Sequence, residues 1–414
     1  MKHGALQRFA SRVRNRTNRG FVLGLLFVLA VYAYMLCQLH IDIMAHGLYD
    51  SYTLQALAWR SGRLDLAANN PNLELAFYRG NIYVCFPPIP AFPMLLLSFF
   101  FGANTPSLWL MIFNYVGSYV VCYALGRRLG NDDIQSAVWA AFLLCGSNLI
   151  DISLFGWVWY MAQSTAFFFT LLAFFLVPSD KRREQGMGLV AIALAIGCRP
   201  MQIVYVPVLM TMVWKKTKVG EAVSKRIKAF AVLLIVPALI GLGYAIYNAV
   251  RFDDPFEFGY NYLPEFQKDA QFGLHYIPKH LKKLFFEFPS VQYGTLVIPD
   301  FDGFAFYLSN PIFLLLVVRL VRMRRKITMN EILLLVSLSV HFLLLTTHRT
   351  FGGWQFGTRY LLDLLPAVVY LCLVGRKKLT VYETPIMAMG FLFNPIGSLL
   401  FRSAYPEFLM SSRR

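Results

Sequence analysis

Apolar runs of about 16 to 26 residues recur from Phe21 to Phe401, close to the roughly 20 that an α-helix needs to cross a bilayer. Within hydrocarbon the backbone must satisfy its own polar groups, so runs of this length span as helices. Charged residues are 15% of the 414 positions, against about 25% in a soluble domain. The expected fold is therefore all-α and polytopic, with most of its mass in the bilayer. The net charge of +17 would suit nucleic acid if it formed one patch. Here it falls in short clusters between apolar runs, the pattern of positive cytoplasmic loops, so no nucleic-acid partner is expected. The six cysteines are scattered, with no CxxC pair, and read as small core residues.

Charge also sets the topology. Residues 1–20 carry Lys2 and five arginines and no acid, and read as a basic cytoplasmic tail. The run 21–41 is too long for a signal-peptide core and forms the first outward span. Basic clusters follow at Arg127-Arg128, Lys181 to Arg183, Lys215 to Lys228, Arg322 to Lys326 and Arg376 to Lys378. Keeping all of them inside requires paired spans. The run after Pro87-Pro88-Ile89-Pro90 is about 16 residues, or roughly 24 Å, short of a roughly 30 Å core. It is expected to be a re-entrant helix within a first outer loop of residues 42–105. Further spans are expected at 106–126, 134–150 and 154–177, then a short pair within 186–214 that turns at Arg199, then 229–249. The remainder divides into a long outer loop, 251–303, and C-terminal membrane helices within 304–414, at 304–321, 331–347, 361–375 and 384–401. The total is about 11 spans plus the re-entrant helix, with the polar residues gathered at the outer face.

Several outer-face residues could carry chemistry. Asp50 precedes Ser51 to Arg60, whose Leu54, Leu57 and Ala58 share one helical face, and Gly62 would end that helix. Asp50 reads as a general base for an acceptor hydroxyl or as the helix N-cap, and the two roles are compatible. Arg199, at the apex of the short pair, and Arg359, at the outer start of a late span, are charges at membrane depth. A guanidinium fork matches phosphate oxygens; alternatively these arginines reach to headgroups, or Arg359 pairs with Asp363. His348 and Arg349 border the same loop. Lys279 and Lys282 form a basic outer stretch that would lie over a phosphate or on anionic headgroups. Asp253-Asp254-Pro255 reads as an ordinary turn or, with two adjacent carboxylates, as a metal site. Asp151 is a lone acid before Trp157 and Trp159.

Five stretches in this order resemble the GT-C superfamily of membrane glycosyltransferases: Asp50-Ser-Tyr through Gly62-Arg63-Leu64; Tyr83 through Phe86-Pro87-Pro88-Ile89-Pro90-Ala91; Gly197-Cys-Arg199-Pro200; Arg251-Phe through Asp254-Pro255 to Gly259-Tyr260; and Gly352-Gly-Trp354 through Gly357-Thr-Arg359-Tyr360. The superfamily includes protein O-mannosyltransferases, bacterial aminoarabinose transferases and oligosaccharyltransferase catalytic subunits. The resemblance implies a seven-helix module over 21–250 and a polyprenyl-phosphate sugar donor. It further implies a glycan, lipid or protein acceptor, and an active site on the outer side of a bacterial inner membrane. It implies an acid in the first outer loop as base, here Asp50 with Asp42 as runner-up. It also implies a second acidic site, metal-binding in some members, where this chain has Asp151; a divalent metal is thus the one cofactor suggested. Tyr83, Pro87, Pro88, Tyr260 and Trp354 become candidates for the substrate groove. Aminoarabinose transferases place a lysine before the first-loop proline. Phe86 stands there in this chain, so phosphate contacts would come from Arg199 and Arg359. The competing class is a transporter, flippase or polymerase of lipid-linked glycans, in which charges would line a path through the spans.

Overall fold

The computed structural model describes residues 19–216, 222–264, 270–292, 295–322, 326–375 and 378–405. Residues 1–18 of the expected tail, Lys218, Arg324, Arg325, Arg376, Lys377 and the terminal Arg413-Arg414 lie outside the described residues.

In chain order the outer and membrane helices are α1 (Arg19–Gln38), α2 (Ser51–Arg60), α3 (Ala91–Phe101), α4 (Leu108–Arg128), α5 (Asp133–Cys145), α6 (Leu149–Ile152), α7 (Val158–Leu176), α8 (Arg182–Ile196), α9 (Val206–Lys216) and α10 (Val223–Phe252). After the long outer loop come α11 (Ile277–Phe286), α12 (Phe306–Ser309), α13 (Ile312–Val321), α14 (Met329–Thr346), α15 (Leu365–Leu373) and α16 (Glu383–Ala404). Among the described residues, six helices are long and apolar enough to span a bilayer: α1, α4, α7, α10, α14 and α16. Helices α3, α5 and α13 are shorter apolar segments.

Elements end where local chemistry ends them. Asp132 caps α5 by accepting from the Gln135 backbone N–H, and Thr328 and Glu331 form a capping box on α14; each cap satisfies donors that a helix leaves open. Pro90 opens α3 and Gly102, at φ 58°, closes it. The expected pair around Arg199 is present. Helix α8 stops at Gly197, Arg199 takes an extended conformation, and the 3₁₀ turn Pro200–Tyr205 leads into α9. Asn394-Pro395 does not interrupt α16, which runs unbroken from Glu383 to Ala404, and the Asn394 amide bonds the Gly390 carbonyl one turn back.

Two hairpins depart from an all-helical outline. Strand β1 (Leu75–Tyr78) pairs antiparallel with β2 (Asn81–Val84). Arg79 and Gly80 turn the chain with φ 49° and 80°, the double positive φ of a type I′ turn. Strand β3 (Ser290–Gln292) pairs with β4 (Thr295–Val297) in the long outer loop. The tip of the first hairpin is tied to the end of α10. Arg79 meets Asp253 at 2.7 Å and the Tyr78 hydroxyl donates to the same carboxylate at 2.8 Å. Asp253 caps α10 at φ 59°, and Asp254 bonds the Phe256 backbone N–H. The adjacent acids therefore build a turn, and among the described residues they join no cluster of metal-ligating side chains.

Helix α7 is the centre of the molecule, packed between α4 and α8. Helix α10 lies at the periphery. Its Val232, Ile235, Leu239, Leu242, Ile246 and Val250 are exposed at helical spacing, a stripe suited to lipid contact. Two pairs of opposite charges are buried among these helices. Arg319 of α13 pairs with Glu383 of α16. Arg402 of α16 grips Asp151 of α6.

Candidate active site

The site grows from two turns that touch. The chain leaves β2 through Phe86-Pro87-Pro88-Ile89, and the Ile89 backbone N–H donates to the Gly197 carbonyl at 3.1 Å. Gly197 has no room for a side chain, since a Cβ there would meet the Tyr244 hydroxyl at 2.1 Å and Ile89 at 2.5 Å. Together these turns form a partition. On one side lies a cavity of about 740 Å³ lined by Phe86, Pro87, Arg199, Tyr260, His348, Arg349, Trp354, Arg359 and Tyr360, among others. On the other lies an apolar groove of about 950 Å³ between α3, α4 and α10, lined by Pro88, Ile89, Leu96, Phe113, Ile240 and Tyr247, among others.

Arginines dominate the charge of the cavity. The Arg199 and Arg359 guanidiniums approach the same Tyr360 ring, at 4.8 and 4.9 Å from its centroid. Arg199 is neutralised by Asp363, to which it donates from Nε at 3.0 Å and from Nη2 at 2.9 Å. Asp363 thus pairs with Arg199 rather than with Arg359, one of the alternatives open from sequence. Asp363 is fully buried and held in turn by Gln163. The Gln163 amide reaches the Asp363 Oδ1 at 3.0 Å and the Arg359 carbonyl at 2.7 Å. One buried node thus sets the backbone of one arginine and the side chain of the other. Arg359 donates from Nε and Nη2 to the Gly352 carbonyl. Gly352, at φ 113°, adopts a backbone that an L-side chain rarely takes. The Arg359 Nη1 is buried with no hydrogen-bond partner among the described residues. Buried guanidinium groups need an acceptor, and an anion in the cavity would supply one. His348 adds no charge, because burial and the neighbouring Arg199 and Arg359 push its imidazole down to about 4.

Other sequence candidates lie elsewhere. Asp50 is the N-cap of α2, accepting from the Thr53 backbone N–H at 2.9 Å and its hydroxyl at 2.6 Å. It is buried one residue behind Tyr49 of the cavity wall. Burial raises its affinity for a proton, against the pull of His46 and Thr53; His46 Nδ1 is 3.7 Å away. The buried face of α2 is Tyr52, Gln55 and Ala56 rather than the Leu54, Leu57 and Ala58 face. Asp42 is exposed and closes its own turn onto the Met44 backbone N–H, so it is removed from the site. Tyr83 packs its ring 5.3 Å from that of Phe252 and anchors the hairpin rather than lining the cavity. Lys279 pairs with Asp302 at 3.2 Å and Lys282 is exposed; neither lines the cavity. Pro88 faces the groove, not the cavity.

Asp151 is committed to the scaffold. Arg402 reaches its two oxygens at 2.9 and 2.6 Å, and the Ser398 hydroxyl donates to it at 2.6 Å. Among the described residues no three His, Cys, Asp or Glu side chains converge as metal ligands, so the donor set around Asp151 does not fit a divalent ion.

Sequence reasoning missed Glu74. Its carboxylate lines the cavity and accepts from the Trp159 indole N–H at 3.0 Å. Gln163 and Arg402 were also invisible as site-builders, and Asp363 was legible only as a partner for Arg359. A buried polar residue must find a partner, but the run does not say which.

No family model and no curated protein sequence matches the chain. Its fold, however, is shared with two solved membrane proteins. One is the archaeal oligosaccharyltransferase AglB from Archaeoglobus fulgidus, in complex with an inhibitory peptide and a dolichol-phosphate. Here 92% of this chain and 56% of that one align, at 12% identity and a TM-score of 0.50. The other is ArnT from Cupriavidus metallidurans bound to undecaprenyl phosphate, with 90% and 63% covered, 13% identity and a TM-score of 0.54. The chain is a multi-pass helical membrane protein that shares its fold with both; it spans less than two thirds of the length of either protein it matches.

Proposed function

We propose that the protein is a glycosyltransferase that moves a sugar from a polyprenyl-phosphate carrier to an acceptor hydroxyl at the extracytoplasmic face of the inner membrane. The observation that carries the reading is the pairing of a cationic cavity with an apolar groove across one thin partition. Arg199 and Arg359 share the Tyr360 ring on one side, and the groove beside α3 is almost wholly apolar on the other. A polyprenyl phosphate has those two parts, an anionic head and a long hydrocarbon tail. The fold shared with AglB and ArnT, solved with dolichol-phosphate and undecaprenyl phosphate respectively, supports the same carrier class.

In this reading the acceptor oxygen attacks C1 of the sugar, the C1–O bond to phosphate breaks, and the electron pair leaves with the polyprenyl phosphate. Arg199 and Arg359 stabilise the charge on the leaving group. One in-line displacement inverts C1. Asp50 takes the acceptor proton. Its burial favours the protonated product of that step, and it adjoins Tyr49 of the cavity wall. The Thr53 hydroxyl must turn away as the proton arrives.

The test is transfer by purified protein from radiolabelled polyprenyl-phosphate sugars to candidate acceptors. Asp50→Asn separates the two roles of that residue, since asparagine caps a helix about as well as aspartate. Loss of transfer with unchanged thermal stability is the expected result; near-wild-type turnover would remove Asp50 as the base. Inert wild-type protein across all donors would sink the transferase reading.

A further inference from the structure

We infer that the end of the bundle remote from the cavity carries a second lipid site, a groove between α7, α8 and α10 that binds one anionic glycerophospholipid. The inference needs only the membrane fold and stands apart from the transferase reading. Helices α7 and α8 meet the cavity at one end, through Trp159 and Arg199. Leu176 and Arg182 therefore mark the other end, roughly 22 Å away along α8. There a groove of about 490 Å³ opens between the three helices. Leu172, Leu176, Met187, Val190, Val232 and Val236 give it apolar walls, and Arg182 and Arg183 stand among its lining residues. Both arginines are exposed. Lys225 and Lys228 are exposed too. Their spacing to Val232 and Val236, at i, i+3, i+7 and i+11, sets them on the face of α10 that walls the groove. The acids close by in sequence are already engaged. Glu184 is held by Arg128 at 2.6 Å and by Lys181 at 3.3 Å, and Asp180 by Lys216 at 2.6 Å. Among the described residues, the charge left at this mouth is positive.

An anionic phospholipid has the complementary parts. Its phosphate matches the guanidinium forks, and its acyl chains match the apolar walls. Basic pockets between membrane helices suit acidic headgroups on these grounds. The groove also has a structural task. Helix α10 contains Pro237, which lacks an N–H and frees a carbonyl one turn back, so the two halves of α10 are held separately. Beyond Pro237, the Tyr244 hydroxyl donates to the Ala193 carbonyl of α8 at 3.0 Å. Before it, Leu233 approaches α8 at Gly186, where an added Cβ would lie 3.2 Å away, while Val232 and Val236 stay exposed along the groove. A lipid seated there covers that flank and braces the first half of α10 against α8. The second half walls the larger groove through Ile240 and Tyr247, and Phe169 and Leu194 line both grooves. The far end of a polyprenyl tail is thus the competing occupant. A tail brings no charge to Arg182 and Arg183, and the phospholipid does.

The experiment places the full chain in nanodiscs of phosphatidylcholine, with or without phosphatidylglycerol, and measures the melting temperature. Native mass spectrometry of the detergent-solubilised protein, titrated with each lipid, reads retention. Phosphatidylglycerol is expected to be retained over phosphatidylcholine and to raise the melting temperature. Replacing both Arg182→Gln and Arg183→Gln should weaken its binding about ten- to thirtyfold, the scale of two basic side chains at a membrane surface. The same variant should lose the melting shift and melt like wild type in phosphatidylcholine alone. Met187→Trp keeps every cation and fills the groove, and should also weaken phosphatidylglycerol binding. All three positions are exposed, so folding does not rest on them. Equal retention of the two lipids, or unchanged binding in the arginine variant, would overturn the inference and leave ordinary bilayer lipid in the groove. Equal stabilisation by inorganic phosphate, or binding unaltered by Met187→Trp, would overturn it in favour of a bare basic patch. Displacement of phosphatidylglycerol by an equal amount of polyprenyl phosphate would overturn it by giving the groove to the carrier tail.

Discussion

Single side chains decide how the cavity holds an anion. Arg359 has an Nη1 with no hydrogen-bond partner among the described residues, while its Nε and Nη2 donate to the Gly352 carbonyl. Arg359→Ala should weaken polyprenyl phosphate binding by about ten- to a hundredfold, the scale of one charge-assisted hydrogen bond, measured by titration in detergent. Asp363 works through Arg199. Asp363→Asn makes the cavity more positive, so simple electrostatics predicts tighter phosphate binding. If placement of Arg199 matters more, binding weakens despite the added charge, and that is the expected outcome; tighter binding would contradict it. His348 gives a pH signature. Its imidazole sits down at about 4 because of burial and the arginines, below an ordinary value near 6.5. A depressed histidine contributes stability above the unfolded value, lost as pH falls through the window from about 6.5 to 4. Thermal stability should therefore drop across that window, and His348→Gln should flatten the drop.

At the scale of elements, the pair joining α16 to the core is the clearest test. Asp151 and Arg402 are both fully buried. Removing one partner strands a charge, at a cost of about 3–5 kcal/mol, while replacing both with apolar groups is often close to neutral. Asp151→Leu and Arg402→Met should each lower the melting temperature sharply, and the double variant should recover most of the loss. A metal role for Asp151 would instead make stability depend on chelator. The short helices read differently. The position of Asp50 before Ser51 allows two compatible roles, base and cap, and the cap is the one seen in the structure. The orientation of α2 escaped a pattern argument because its buried face combines Tyr52, Gln55 and Ala56. Tyr52 and Gln55 find hydrogen-bond partners on neighbouring elements, Pro87 and Tyr247, and those partners are distant in sequence.

Across the whole molecule, the cationic cavity and the apolar groove are separate compartments divided by two turns. Filling the groove without touching the cavity tests their division of labour. Leu96→Trp or Ile240→Trp places bulk on the groove wall. Each should reduce activity on long-chain donors while sparing a donor with a chain of one or two isoprene units, measured as the ratio of the two rates. An equal loss on both would show that the groove does not hold the tail.

Periodicity and charge alone determined that the chain is a helical membrane protein, and they located most helices to within a few residues. Apolar length follows from bilayer thickness, and caps and breakers are local chemistry. The turn at Arg199 and the short α3 were legible for the same reason, because a proline and a missing stretch of apolar length act where they stand. Tertiary structure alone decided which polar residues serve the site. Asp151 went to Arg402 across 251 positions and Arg199 to Asp363 across 164, while Glu74 reached the cavity and Asp42 stayed outside it. Burial obliges a charge to find a partner, but the partner is chosen by packing between distant helices, and no local pattern records that choice.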